Sequence, residues 1–149
     1  MRAKIYDATE LQIPIGEGKA TRIQSSIGFV DITIAAESAN AILVTFDAKD
    51  LGAHEDLNRE YIAVIRQYED ATGTIDSEVV LGDPVYDMTV TTGTLQSPFA
   101  DGLELSVRSD ITGTIAITLT DSSAVGTSTK YLGFQCGDFF CQTGALTFA

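Results

Sequence analysis

The chain has no tryptophan, one histidine, two cysteines and three prolines among its 149 residues. Without tryptophan the commonest platform for stacking a sugar ring is missing, and five tyrosines replace it only weakly. One histidine and two cysteines fall short of the nitrogen and sulfur ligands that a dedicated four-ligand zinc site takes. A Ser-His-Asp or Cys-His arrangement needs an imidazole held beside a nucleophile. His54 lies in the polar stretch Gly52-Ala53-His54-Glu55-Asp56, and no nucleophile-elbow motif accompanies it, so it reads as a solvated loop residue. Phosphate-cradling and dinucleotide-binding glycine patterns are absent as well. The chain is therefore expected to catalyse nothing and to carry no cofactor.

Positive charge is equally scarce. Nine Lys and Arg face 21 Asp and Glu, a net charge of -12. Such a field repels nucleic-acid phosphates and anionic lipid surfaces, and the cations are scattered rather than gathered into a groove, so no nucleic-acid partner is expected. Solubility, or adaptation to salt, is the plain account of the acidity. Long apolar runs are missing too, which excludes a spanning helix of about 20 residues. Arg2 and Lys4 near the start are followed by no apolar segment of the secretory kind. The expectation is a protein that acts without Sec-type export and does not insert into membranes.

What the chain does have is strand pattern. Thr-Gly-Thr followed by Ile or Leu recurs at Thr72, Thr92 and Thr112. Glycine supplies the positive φ of tight turns, and threonine fits a pleated strand. The intervals differ in content, so hairpin pitch explains the spacing better than a structural repeat does. Around these punctuation marks apolar residues alternate with polar ones. Val30, Ile32 and Ile34 share one face; Ile42, Val44 and Phe46 follow after the Glu37-Ser38-Ala39-Asn40 turn. Tyr86, Met88 and Val90 form another row, as do Leu103, Leu105 and Val107, and then Ile115, Ile117 and Leu119. The last two rows flank Ser109 to Gly113 and are expected to form a hairpin. Gln96 to Gly102 reads as a long loop. Between Asp50 and Tyr68, the periodicity of Leu57, Tyr61, Val64, Ile65 and Tyr68 fits a helix, while Tyr61 to Tyr68 also fits a strand. A short helix or turn over Asp50 to Asn58, then a strand, is the preferred reading.

About nine to eleven strands are too many for one sheet with a single wet face. The expected fold is all-β: one domain over residues 1–149, a two-sheet antiparallel β-sandwich with jelly-roll-like winding. Its shared core should contain Val30, Ile32, Ile34, Ile42, Val44, Phe46, Leu105, Val107, Ile115, Ile117 and Leu119.

Cys136-Gly137-Asp138-Phe139-Phe140-Cys141 places two cysteines around a turn signal. Three states stay open for them: buried free thiols, a structural disulfide across a hairpin, or redox chemistry. Acidic turns such as Asp83-Pro84-Val85-Tyr86-Asp87, and Asp101 or Asp110 near glycine, lack the spacing of a calcium loop and read as ordinary turns. No metal site is expected.

The alternating strands from Phe29 to Phe46 and Val85 to Thr120, with Thr/Gly/Ser-rich turns such as Ser122 to Thr129, resemble the small single jelly-roll coat and vertex proteins of icosahedral viruses. That resemblance covers most of the chain without a diagnostic motif. It implies a virion structural protein, a coat, vertex or decoration subunit made in the host cytoplasm. Its partners would be copies of itself or other coat proteins, in an oligomer. With no basic arm for genome contact, it would face outward or touch other proteins. Phe99, in the Pro98-Phe99 stretch, and Phe148, near the end, are the apolar anchors such interfaces would use, the alternative for both being that they fold back onto their own core. The other class consistent with the sequence is a carbohydrate- or receptor-binding sandwich of a spike, fibre or cell surface.

Overall fold

The computed structural model describes residues 4–5, 10–14, 20–24, 27–50, 55–69, 71, 86–100, 103–122 and 127–149. Every described element is a strand, in chain order β1 (Lys4–Ile5), β2 (Glu10–Pro14), β3 (Ala20–Gln24), β4 (Phe29–Ile34), β5 (Ala41–Lys49), β6 (Ile62–Tyr68), β7 (Tyr86–Thr92), β8 (Thr94–Ala100), β9 (Glu104–Arg108), β10 (Thr114–Asp121), β11 (Ser128–Cys136), β12 (Phe139–Gln142) and β13 (Leu146–Phe148). Strands β1 to β3 hydrogen-bond among themselves as a three-stranded sheet. The other ten form two antiparallel sheets, one ordered β4-β5-β10-β7 and one ordered β12-β11-β6-β9-β8, with β13 also on β11. One continuous core draws on both sheets, including Val44, Phe46, Ile115, Ile117 and Leu119 from the first and Ile65, Val107, Leu132 and Phe134 from the second. The two-sheet antiparallel sandwich expected from the alternation is thus the fold.

The chain changes layer after β5, β6, β7, β9 and β10. Two of these crossings fall on the described Thr-Gly-Thr copies. Both glycines have positive φ, 99° at Gly93 and 88° at Gly113. They do not close hairpins, however. Gly93 joins β7 of one sheet to β8 of the other, and a Cβ there would lie 2.6 Å from the Arg108 carbonyl oxygen. The expected hairpin around Ser109 to Gly113 is likewise an arch between layers: β9 pairs with β6 and β8, whereas β10 pairs with β5 and β7. Two apolar rows alternate in the same way whether they lie side by side or face each other across a core, which is why the pattern misled. The copy at Thr72 lies outside the described residues.

True hairpins occur elsewhere. The β4–β5 turn is closed by Ser38 and Ala41, each N–H donating to the other's carbonyl at 2.9 and 3.0 Å. Ala39 and Asn40 hold φ of 52° and 60°, the paired positive values of a two-residue turn matched to strand twist. Gly137, at φ 58°, starts the equally tight β11–β12 turn. Of the expected core, Ile34 is 39% exposed and Ile32 only partly buried, while the rest are buried. Both belong to β4, an edge strand that covers one flank only. Residues 57–68 resolve to an irregular segment and then β6, without a described helix. The loop expected over Gln96 to Gly102 is largely β8, an edge strand where Pro98 is tolerated.

Candidate functional site

Among the described residues, two regions gather side chains capable of chemistry or recognition. The first is the end of the sandwich where β6 and β8 begin and β9 finishes. Tyr61 is fixed there at four points. Its N–H donates to Ser109 Oγ at 3.0 Å, and its carbonyl accepts from the Ser109 N–H at 2.9 Å. Its hydroxyl donates to the Gly113 carbonyl at 2.9 Å, and its ring meets Phe134 edge-on at 5.9 Å. Burial pushes the phenol far above its usual range, and Cys136 and Asp47 add in the same direction. It is therefore a neutral, immobilised ring.

Beside it, Glu60, Tyr61, Ile62 and Arg108 line a shallow depression of about 400 Å³. The Glu60–Arg108 ion pair at its rim is 3.8 Å long and well exposed, which makes it a weak, salt-sensitive contact. Ile62 is 54% exposed, Leu95 on β8 46%, and Ile111 in the β9–β10 turn 74%. That turn is rigid: Asp110 Oδ1 accepts from the Thr112 and Thr114 N–H groups, both at 2.9 Å, and from Thr112 Oγ1 at 2.7 Å. Burial opposes the Asp110 carboxylate, but those donors outweigh it and hold its pKa below the ordinary value. Nothing in this arrangement is a nucleophile with its base. It offers aliphatic side chains on a stiff frame, which suits docking.

The second region lies at the opposite end of β10. Tyr86 OH donates to Asp121 Oδ2 at 3.3 Å and shares a hydrogen bond with Ser128 Oγ. Lys130 Nζ sits 4.8 Å above the Tyr86 ring and 3.3 Å from Glu69 Oε1. Asp121 and Lys130 are both buried. Cation–π contact, ion pairing and hydrogen bonds offset their desolvation, so the cluster ties β7 and β10 to β11 across the two layers. The signal for it in the sequence is a cation in the inward row Lys130, Leu132, Phe134.

The residues singled out from sequence divide as follows. Phe148, expected at an interface, is 1% exposed, and its ring lies 5.4 Å from Tyr86. It is a core residue, because β13 pairs with β11 and turns Leu146 and Phe148 inward. Phe99 lies on β8, its side chain outside the described residues, as is His54. Cys136 and Cys141 are free thiols, both half-buried. The two-residue turn places Phe139 opposite Cys136 and Phe134 opposite Cys141, so the thiols are diagonal rather than direct partners. Diagonal Cα atoms lie about 7–8 Å apart, beyond the roughly 4.4–6.8 Å that a disulfide spans. Burial raises both thiol pKa values, Cys141 to about 11, with Arg59 partly opposing the rise at Cys136. Among the described residues no group of three His, Cys, Asp or Glu side chains is placed to hold a metal ion.

No protein-family model matches the chain, and no curated protein matches it. A crystal structure of the GAE domain of GGA2p from Saccharomyces cerevisiae aligns over 93% of this chain and 94% of that one. The identity is 8% and the TM-score 0.29, so the likeness carries no argument about function.

Proposed function

We propose that this chain is a structural subunit that works through protein–protein assembly, as a virion coat, vertex or decoration protein, and that it catalyses nothing. The observation supporting this is the end of the sandwich at Tyr61. Ile62, Leu95 and Ile111 are exposed there on a frame stiffened by Tyr61 and Asp110. Aliphatic side chains held out by hydrogen-bonded turns cost little ordering entropy when a partner covers them. Among the described residues, strands β4, β7 and β8 are sheet edges of the kind that neighbouring subunits extend or cover. The partners in this reading are copies of the chain or other coat proteins, and its place is the virion.

The alternative, a carbohydrate- or receptor-binding sandwich at an extracellular surface, would be favoured by exposed tyrosines. Among the described residues Tyr68 and Tyr86 are buried, and Tyr61 and Tyr131 are half-buried. A glycan array separates the two readings.

Native mass spectrometry of the purified chain, alone and mixed with its neighbours in the source particle or operon, tests the proposal. Assembled species are expected, and Ile62→Asp with Ile111→Asp should abolish them while leaving the melting temperature unchanged. A strict monomer that binds none of those proteins overturns the reading.

A further inference from the structure

We infer that Cys136 and Cys141 form a redox-sensitive register lock that controls the docking of the C-terminal strand β13. This inference is independent of the assembly reading. Strands β12 and β13 run along the same edge of β11 but in different registers. In β12, Phe139 opposes Cys136 and Gln142 opposes Gly133; in β13, Leu146 opposes Lys130 and Phe148 opposes Ser128. Thr143 fills the junction. Its N–H donates to the Leu132 carbonyl at 2.9 Å, and its hydroxyl accepts from the Leu132 N–H at 3.0 Å. From Thr143 to Leu146 the edge advances three residues while β11 advances two, from Leu132 to Lys130, so the junction holds one spare residue.

The two thiols lie on the same face, toward the core, packed with Phe139 against it. Bringing Cys141 opposite Cys136 requires β12 to slip by two residues, which widens the Gly137-Asp138 turn to four residues. A four-residue hairpin loop is common, and an even slip keeps every β12 side chain on its present face. The same slip carries Thr143 opposite Phe134. Three residues on the edge would then have to span four on β11, at about 3.3 Å each. The single spare residue cannot supply this. Strand β13 must therefore give up its present register: a one-residue move turns Leu146 and Phe148 away from the core, and a two-residue move keeps their face but draws Phe148 off its place beside Tyr86. The reduced state keeps β13 seated, helped by the Phe148–Tyr86 ring contact and by the Ala149 N–H donating to Glu37 Oε2 at 2.9 Å. Oxidation by a disulfide such as oxidised glutathione forms the Cys136–Cys141 bond, releases two molecules of reduced glutathione and unseats β13. Because the bond competes with core packing, it is readily reduced again.

The full chain, treated with oxidised glutathione or with dithiothreitol, is examined by intact mass and by amide hydrogen exchange. A species lighter by two hydrogens is expected, with exchange at residues 146–149 faster by about tenfold or more than in the reduced chain. Cys141→Ser, and separately Cys136→Ser, each checked for folding by circular dichroism, can form at most a mixed disulfide with glutathione and should keep exchange at residues 146–149 at the reduced-chain rate. An intrachain disulfide that leaves exchange at 146–149 unchanged overturns the coupling. So does a folded chain that forms no intrachain disulfide under conditions that oxidise the urea-unfolded chain.

Discussion

Phe46 on β5 and Phe134 on β11 meet ring to ring between the two sheets, centroids 5.4 Å apart and planes inclined by 31°. Both are fully buried, and Phe134 also takes the edges of Tyr61 and Phe139. This aromatic stack joins the layers and underpins the exposed end of the sandwich. Phe134→Ala should cost about 3–5 kcal/mol of unfolding free energy, since it opens a cavity among side chains that cannot all collapse. Urea titration followed by circular dichroism checks it, and a loss under about 1 kcal/mol would mean that the two sheets do not share this core.

The β4–β5 turn holds an alanine at positive φ, a conformation that disfavours a Cβ by roughly 1–2 kcal/mol. Ala39→Gly relieves that strain but frees the unfolded chain, so a gain of about 0.5 kcal/mol is expected. Ala39→Asn with Asn40→Gly installs the residue pair this turn prefers and should gain more. Thermal unfolding of the two variants beside the parent gives the order.

Gly133 and Gly137 make a matched pair for opposite reasons. A Cβ on Gly133 would lie 2.4 Å from Tyr68 Cε2 and 3.0 Å from Phe140 Cε2, where those two rings meet edge-on at 6.2 Å. A Cβ on Gly137 meets nothing within 4 Å, but its φ is 58°. Gly133→Ala should therefore destabilise by about 2–3 kcal/mol through overpacking, and Gly137→Ala by about 1 kcal/mol through backbone strain alone. Equal losses in equilibrium unfolding would contradict the packing of Tyr68 and Phe140 over the sheet.

Alkaline pH should weaken the fold through Cys141. Burial raises its thiol from 9.0 to about 11, so above pH 9 the unfolded chain releases a proton that the folded chain retains. The folded state then binds more protons, and stability falls as pH rises. This contribution is complete below about pH 9 and is lost progressively to about pH 11. The Cys136 thiol and the Tyr61 phenol, also raised by burial, act in the same direction. Denaturant midpoints measured across this range for the parent and Cys141→Ser should converge as pH rises, and parallel curves would refute the assignment.

Period-two alternation was enough to identify an antiparallel sandwich, to seat Ile42, Val44, Phe46, Leu105, Val107, Ile115, Ile117 and Leu119 in its core, and to place a turn at Glu37 to Asn40, one residue from the observed Ser38–Ala41 turn. These features depend on one strand and its immediate neighbours, and a linear pattern records them. Which sheet each strand joins does not depend on its own residues. Leu103 to Val107 and Ile115 to Leu119 read as a hairpin but face each other across the core, because partners distant in sequence, β6 and β5, claim their hydrogen bonds. The same reason took Phe148 from a surface anchor to the core, since only β11 makes a place for it. It put Lys130 inside, where Tyr86 on β7 and Glu69 just after β6 compensate its charge. It also left Cys136 and Cys141 reduced, one diagonal step apart, because register is settled by pairing across strands and not by spacing along one.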